Sequence, residues 1–166
     1  RPWHQHRPAR HPEQQDPVAR ERCIGIIADP CAEQPDAEST AGQMACAARE
    51  FAVWDDILNE TYRRLRDKLD AAQNIKLRVM QRAWIDSRDR TCAFYWDFFR
   101  GTMASPMSAF CNNRETARRA LFLLGFLDNA EGHAYKVELA ATDDFGGVDK
   151  FVRAAQVEVE KLKKHD

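Results

Sequence analysis

Residues 40–71, TAGQMACAAREFAVWDDILNETYRRLRDKLDA, decide the fold of this chain. Apolar side chains recur there at every third or fourth position, the spacing of one face of an α-helix: Met44, Ala47, Phe51, Trp54, Leu58, Tyr62, Leu65 and Leu69. Arg, Glu and Lys occupy the opposite face. Thr40 is a suitable N-cap, and the helix is expected to end near Ala71. A helix of this length, roughly 45 Å, needs a packing partner to be stable.

The residues that follow supply this partner. Gln73-Asn74 predicts a turn, after which the helical spacing returns at Leu77, Met80, Trp84, Arg88, Cys92, Tyr95 and Phe99. The two segments are therefore predicted to form an antiparallel hairpin. Arg88 is the one charged member of the second stripe. Counting outward from the turn places it opposite residues 55–59, so we expect a buried polar lock of Arg88 with Asp55, beside Asn59.

Beyond Arg100 the pattern is less regular. Residues Gly101–Phe110 contain glycine, proline and serines and predict a loop. A third helix is expected to start at Asn112 or Asn113, both good caps, and to run to about Leu127.

The last part of the chain carries a weaker pattern. Ala134–Ala140 is consistent with a short strand or an irregular crossing. A final helix is expected over about Gly147–Lys163, with an apolar stripe of Val148, Val152, Ala155, Val159 and Leu162. The predicted fold class is all-α: a long antiparallel helical hairpin with a third packed helix, disulfide-stapled, plus a C-terminal helix.

Composition excludes several classes of function. The 166 residues carry a formal net charge of −1 and are 44% hydrophobic. A balance near zero argues against binding to nucleic acid or to anionic lipid. The longest apolar run, Ala120–Leu127, is far shorter than the ~20 residues of a membrane span. The three histidines of the N-terminal segment, His4, His6 and His11, fit no recognised metal-site spacing, so neither a metal nor a cofactor is expected.

The chain divides into three predicted regions. Residues 1–22 hold four of the seven prolines and few apolar side chains, so they are expected to be disordered. Residues 23–128 form the helical domain, and residues 129–166 form an extension with one helix. Because the chain starts at Arg1 without an initiator methionine, we expect that a signal peptide was removed and that the protein is periplasmic or secreted.

Five cysteines are candidates for disulfide bonds: Cys23, Cys31, Cys46, Cys92 and Cys111. None is part of a C-x-x-C pair, which argues against a zinc site. In an exported protein, oxidation to disulfides is the default. Two bridges and one remaining thiol can be arranged in about 15 ways, among which the sequence does not choose.

Three linked blocks of residues carry a resemblance to a known family. The first block has Cys46, Asp55, Leu58, Asn59 and Tyr62, the second Gln81, Trp84, Arg88, Asp89 and Cys92, and the third, after a glycine loop, Cys111, Thr116, Arg119 and Leu123. In order and spacing they resemble the LprI-like lysozyme inhibitor family of bacterial envelope proteins. The resemblance covers about Thr40–Leu127. It implies a small exported helical domain with disulfides, and a protein partner of the lysozyme type.

Nothing in the sequence predicts an enzyme. No nucleophile lies in an elbow motif, no glycine-rich phosphate loop is present, and His133 is isolated. The leading hypothesis is a binding protein that inhibits a lysozyme-type muramidase by occluding its cleft. The alternative is a non-catalytic envelope scaffold or immunity-type module that binds a bacterial partner protein. The oligomeric state is left open.

Two sets of residues are the candidates for contact with the partner. The acidic set would steer association with a basic lysozyme and comprises Asp56, Glu60, Asp86 and Asp89. The loop set would enter the cleft with little loss of entropy and comprises Gly101, Thr102, Ser105 and Met107.

Overall fold

The computed structural model describes residues 20–131, and this part of the chain is helical without a strand. A short helix α1 (Ala28–Ala32) and a single 3-10 turn (Pro35–Ala37) precede three long helices: α2 (Thr40–Lys68), α3 (Ala71–Phe99) and α4 (Ala104–Ala130). None of these helices is long and apolar enough to cross a membrane. The all-α class, the hairpin of α2 and α3, and the third packed helix are confirmed. The predicted segments Ala134–Ala140 and Gly147–Lys163 lie outside the described residues.

Helix α2 is capped by Ser39, one residue before the predicted cap Thr40. The Ser39 side chain accepts a hydrogen bond from the Gly42 backbone N–H at 3.0 Å.

The turn between α2 and α3 is shorter than the sequence suggests. Only Leu69 and Asp70 separate α2 from α3. Asp70 and Gln73 form a reciprocal capping box, so Gln73-Asn74 lies inside α3 and the predicted turn at that dipeptide was wrong.

The second turn replaces most of a predicted loop. Helix α3 ends at Phe99, its C-cap Arg100 has a left-handed backbone with φ 46°, and α4 begins at Ala104. The loop over Gly101–Phe110 and the helix start at Asn112 or Asn113 were therefore wrong. Pro106 lies in the first turn of α4, where backbone N–H groups have no partner within the helix and proline is tolerated.

Helix α4 is the centre of the bundle. Most close approaches between helices join α2 to α4 or α3 to α4, whereas the two arms of the hairpin make few with each other. The core accordingly lies mainly between α2 and α4: Ile27, Trp54, Ile57, Leu58, Leu65, Leu77, Ala117, Ala120, Leu121, Leu123, Leu124 and Leu127. Helix α3 contributes a single residue to this set, Leu77, and packs with one side against α4.

Candidate partner-binding surface

Two disulfides lie at one end of the bundle, where α2 starts, α3 ends and α4 starts. Cys31–Cys46 joins α1 to α2, and Cys92–Cys111 joins the end of α3 to the start of α4, each with a Cα–Cα distance of 5.5 Å. Cys23 is the free thiol and is half-buried. The structure thus selects one of the arrangements that the sequence left open.

A buried carboxylate lies where α1, α2 and α4 meet. Glu50 is fully buried and accepts five hydrogen bonds. Three come from the backbone N–H groups of residues 25, 27 and 28, at 2.7, 3.0 and 2.9 Å. The others come from Trp54 Nε1 at 3.1 Å and Asn113 Nδ2 at 3.0 Å. Because a buried carboxylate is tolerated only when it is hydrogen-bonded, this geometry fixes the N-terminal segment against the bundle.

Sequence reasoning missed Glu50, although a signal was present. Glu50 lies three residues after Ala47 and four before Trp54, so it has the spacing of the buried stripe. The stripe was instead drawn through Phe51, which is only partly buried. A charged residue at a core position indicates an internal partner, the same inference that was made for Arg88.

The contact between α3 and α4 brings together residues of the second and third sequence blocks. Arg88 and Arg119 both lie over the Trp84 ring, at 5.0 and 5.4 Å from its centroid, and Arg119 also lies 4.9 Å from the centroid of Phe122. Arg119 Nε donates to Gln81 Oε1 at 2.8 Å. Phe122 contacts Phe126 edge-to-face at 5.1 Å between centroids. We call Arg88, Trp84, Arg119, Phe122 and Phe126 the seam stack.

The partner expected for Arg88 was wrong. Arg88 donates through Nε and Nη2 to Asp89 Oδ1 at 2.9 and 2.8 Å, and Nη1 lies 3.4 Å from Thr116 Oγ1. Asp55 accepts a hydrogen bond from Asn59 one turn along α2 at 3.0 Å. The physical reason is the packing: α4, not α2, lies against this face of α3.

The four carboxylates of the acidic set have different surroundings. Asp86 is exposed and pairs with Arg90 at 2.9 Å, and Asp89 pairs with Arg88. Asp56 is exposed and Glu60 is partly buried on α2. The structure places two of them on α2 and two on α3, the helices that make few close approaches to each other. Their role in attracting a partner remains a prediction.

Because α4 starts earlier than predicted, the four residues of the loop set lie in two different elements. Gly101 and Thr102 are exposed in the turn, while Ser105 and Met107 are partly buried in the first two turns of α4. The segment that projects between the helices is therefore Arg100–Met103. Arg100 is exposed, and its Nε donates to the Asp97 carbonyl oxygen at 3.2 Å.

The same end of the molecule carries large exposed apolar side chains, which we call the distal aromatic surface: Phe94, Trp96, Phe98, Phe99 and Met103. Phe98 and Phe99 contact edge-to-face at 5.1 Å, and Phe99 stacks on the partly buried Tyr95 at 5.9 Å. The run FYWDFF over residues 94–99 was the signal for this surface, but only Tyr95 and Phe99 were assigned to the helix stripe and the other aromatic residues were not interpreted as a surface. Exposed aromatic clusters of this kind mark interaction sites.

Burial shifts the pKa of three side chains, those of Cys23, Asp29 and Arg119. Burial, reinforced by the negative charge of Glu50, raises the pKa of the Cys23 thiol. Burial and then Glu50 and Glu33 raise the pKa of Asp29, against an opposing effect of Arg114. Burial lowers the pKa of Arg119, whose Nη2 is buried without a hydrogen-bond partner among the described residues. Within residues 20–131, no cluster of His, Cys, Asp or Glu is arranged to hold a metal ion.

Comparison with known proteins identifies the family of the bundle. A family model described as "Lysozyme inhibitor LprI" matches residues 31–123. The matched range contains both disulfides, Glu50, the distal aromatic surface and all of the seam stack except Phe126. No curated protein and no solved structure matches the chain.

Proposed function

Because the chain belongs to the LprI lysozyme inhibitor family, we propose that it is an exported protein that binds a lysozyme-type muramidase and occludes its cleft with the distal aromatic surface and the Arg100–Met103 turn. The family match carries the general role of lysozyme inhibitor. Exposure, rigidity and charge support the location of the contact.

The distal aromatic surface has the properties of a binding hot spot. Its side chains are already exposed, and burial of each against a partner removes apolar area from water, worth ~25 cal/mol per Å². Trp and Arg are the residue types that dominate interface energies, and Trp96 and Arg100 lie within one turn of each other on the chain. This end of α3 is the most aromatic stretch in the sequence.

The projecting turn is held in place before any partner arrives. Cys92–Cys111 links the two helices that flank it, and only three residues follow Arg100 before α4 begins. A turn that is ordered beforehand loses little conformational entropy on binding. This supports insertion of the turn into a cleft rather than folding of a long loop over it.

The charges of the described residues also support insertion of the Arg100–Met103 turn into the cleft of a muramidase. Muramidases act with a pair of carboxyl groups that flank the scissile bond. The exposed guanidinium of Arg100 can pair with such a carboxylate at the floor of a cleft. The acidic set, Asp56, Glu60, Asp86 and Asp89, lies on α2 and α3, where negative charge would speed association with a basic enzyme without entering the cleft.

Disulfides support location outside the cytoplasm. Two bridges in a chain of this size are typical of an oxidising compartment, which is also where a muramidase encounters an envelope protein. We propose a periplasmic or secreted location on this ground.

The test is a titration of the oxidised protein against animal chicken-type, goose-type and invertebrate-type lysozymes, with cell-wall lysis as the readout. We expect stoichiometric loss of activity for at least one enzyme. Trp96→Ser/Phe98→Ser should weaken the inhibition at least ~10-fold, since a central aromatic anchor contributes more than about 1.4 kcal/mol.

The control variant comes from the other end of the same helix. Ile75 and Val79 are 54% and 62% exposed, comparable with Trp96 and Phe98, but lie in the first turns of α3. Ile75→Ser/Val79→Ser should inhibit as the wild type does. Equal weakening by both double variants, or by neither, would show that the distal aromatic surface is not the contact. A folded wild type that inhibits no lysozyme would contradict the function itself.

A further inference from the structure

The second exposed aromatic surface lies far from the proposed contact. Phe122 and Phe126 face outward from the last turns of α4, 46% and 50% exposed, with their rings in edge-to-face contact. They are the two members of the seam stack that lie beyond Arg119. We call the part of the seam stack formed by Trp84, Arg119, Phe122 and Phe126 the strip. The lysozyme-binding proposal makes no use of this strip.

We propose that the strip is a docking site for the C-terminal part of this same chain, residues 147–163. Their apolar positions Val148, Val152, Ala155, Val159 and Leu162 recur at helical spacing. Such a stripe requires an apolar surface to cover it, and the outer face of α4 requires an occupant of the same kind.

The path of the chain favours this occupant over others. Helix α4 ends at Ala130, four residues and about 6 Å along the helix axis beyond Phe126. Arg64 of α2 pairs with Glu131 at 2.8 Å, so the chain leaves the bundle at a defined place five residues after Phe126. Residues 132–146 reach roughly 50 Å when extended, far more than the return to Phe122 requires. A tethered segment also meets the strip at a high effective concentration.

The docking proposal does not depend on lysozyme inhibition, because Phe126 and residues 147–163 lie outside the matched residues 31–123.

Amide hydrogen exchange of the full chain tests the docking. In the wild type, amides of residues 147–163 should exchange at least ~10-fold more slowly than amides of residues 132–146, equally at low and high protein concentration. Phe122→Ser/Phe126→Ser should remove this protection and leave the amides of α2 unchanged. Ile75→Ser/Val79→Ser, which alters equally exposed side chains on α3, should keep it.

Three results would overturn the proposal. The first is unprotected amides over residues 147–163 in the wild type, and the second is protection that survives Phe122→Ser/Phe126→Ser. The third is protection that appears only as the protein concentration rises, because it would identify a second copy as the occupant. Circular dichroism of each variant verifies that the bundle itself is folded.

Discussion

Helices α2 and α3 have the same length, 29 residues each, but opposite roles in the bundle. Helix α2 buries residues along its whole length, whereas α3 buries Leu77 and Cys92. Large apolar side chains of α3, including Phe94, Trp96 and Phe98, face solvent instead. Since an apolar side chain in solvent contributes nothing to stability, α2 contributes more to the core than α3 does, and the exposed side chains of α3 are the ones that we propose to bind a partner.

The largest expected effect tests whether Glu50 is the polar centre of α2. Glu50→Ala removes the acceptor of three buried backbone N–H groups and two side-chain donors, so the free energy of unfolding should fall by about 3–5 kcal/mol. Urea unfolding measures this loss. Asp86→Ala, which removes an exposed carboxylate of α3, should leave the unfolding midpoint unchanged. Equal effects of the two substitutions would abolish the distinction between the helices.

The two disulfides allow α2 and α3 to be compared directly, because one is attached to each helix and they close loops of similar length. Their sequence separations are 15 and 19 residues, so removal of either pair by Cys→Ala substitution should cost about 2–4 kcal/mol. Only loss of Cys92–Cys111 should also weaken lysozyme inhibition, because it frees the end of α3 that carries the distal aromatic surface. Inhibition that depends equally on Cys31–Cys46 would place the contact elsewhere.

A smaller loss of stability is expected on substitution of Arg88, which lies in the contact of α3 with α4. Its side chain is 17% exposed, and its partner Asp89 is 57% exposed, so Arg88→Ala should destabilise by about 1–2 kcal/mol, mainly through its contacts with Trp84 and Thr116. A double-mutant cycle of Arg88 with Asp89 should give a coupling energy near ~0.5 kcal/mol. The cycle of Arg88 with Asp55 should give none, and a coupling there would restore the pairing first expected from the sequence.

The smallest effect concerns the reactivity of Cys23 rather than stability. Because burial and Glu50 raise the pKa of its thiol, alkylation by iodoacetamide should reach half its maximal rate at a higher pH in the native protein than in urea. The native state holds this proton more tightly than the unfolded chain, so its stability should decline only above the ordinary thiol pKa. Glu50→Gln should bring the native midpoint back toward that of the unfolded chain. Identical midpoints in native protein and in urea would show that the thiol is not shielded.

The spacing of apolar residues was sufficient to predict the helices but not to predict where each one begins and ends. The stripe from Met44 to Leu69 and the stripe from Leu77 to Phe99 predicted α2 and α3, because a period near 3.6 is a property of the chain itself. Residues Gly101–Phe110 were assigned to a loop because they contain glycine, proline and serines, yet α4 includes residues 104–110. The Cys92–Cys111 bridge and packing of Ala104 in the interior outweigh the weak local preference.

The sequence by itself determined the all-α class, the positions of α2 and α3 and the family, since each depends on spacing along the chain. Only the tertiary structure decided which cysteines pair, why Glu50 is buried and which residue Arg88 contacts. These depend on which faces meet, and α4, not α2, covers the inner face of α3. The same packing leaves the outer face of α3 in solvent, where Phe94, Trp96 and Phe98 lie outside the predicted stripe and Phe99 is exposed although the stripe included it.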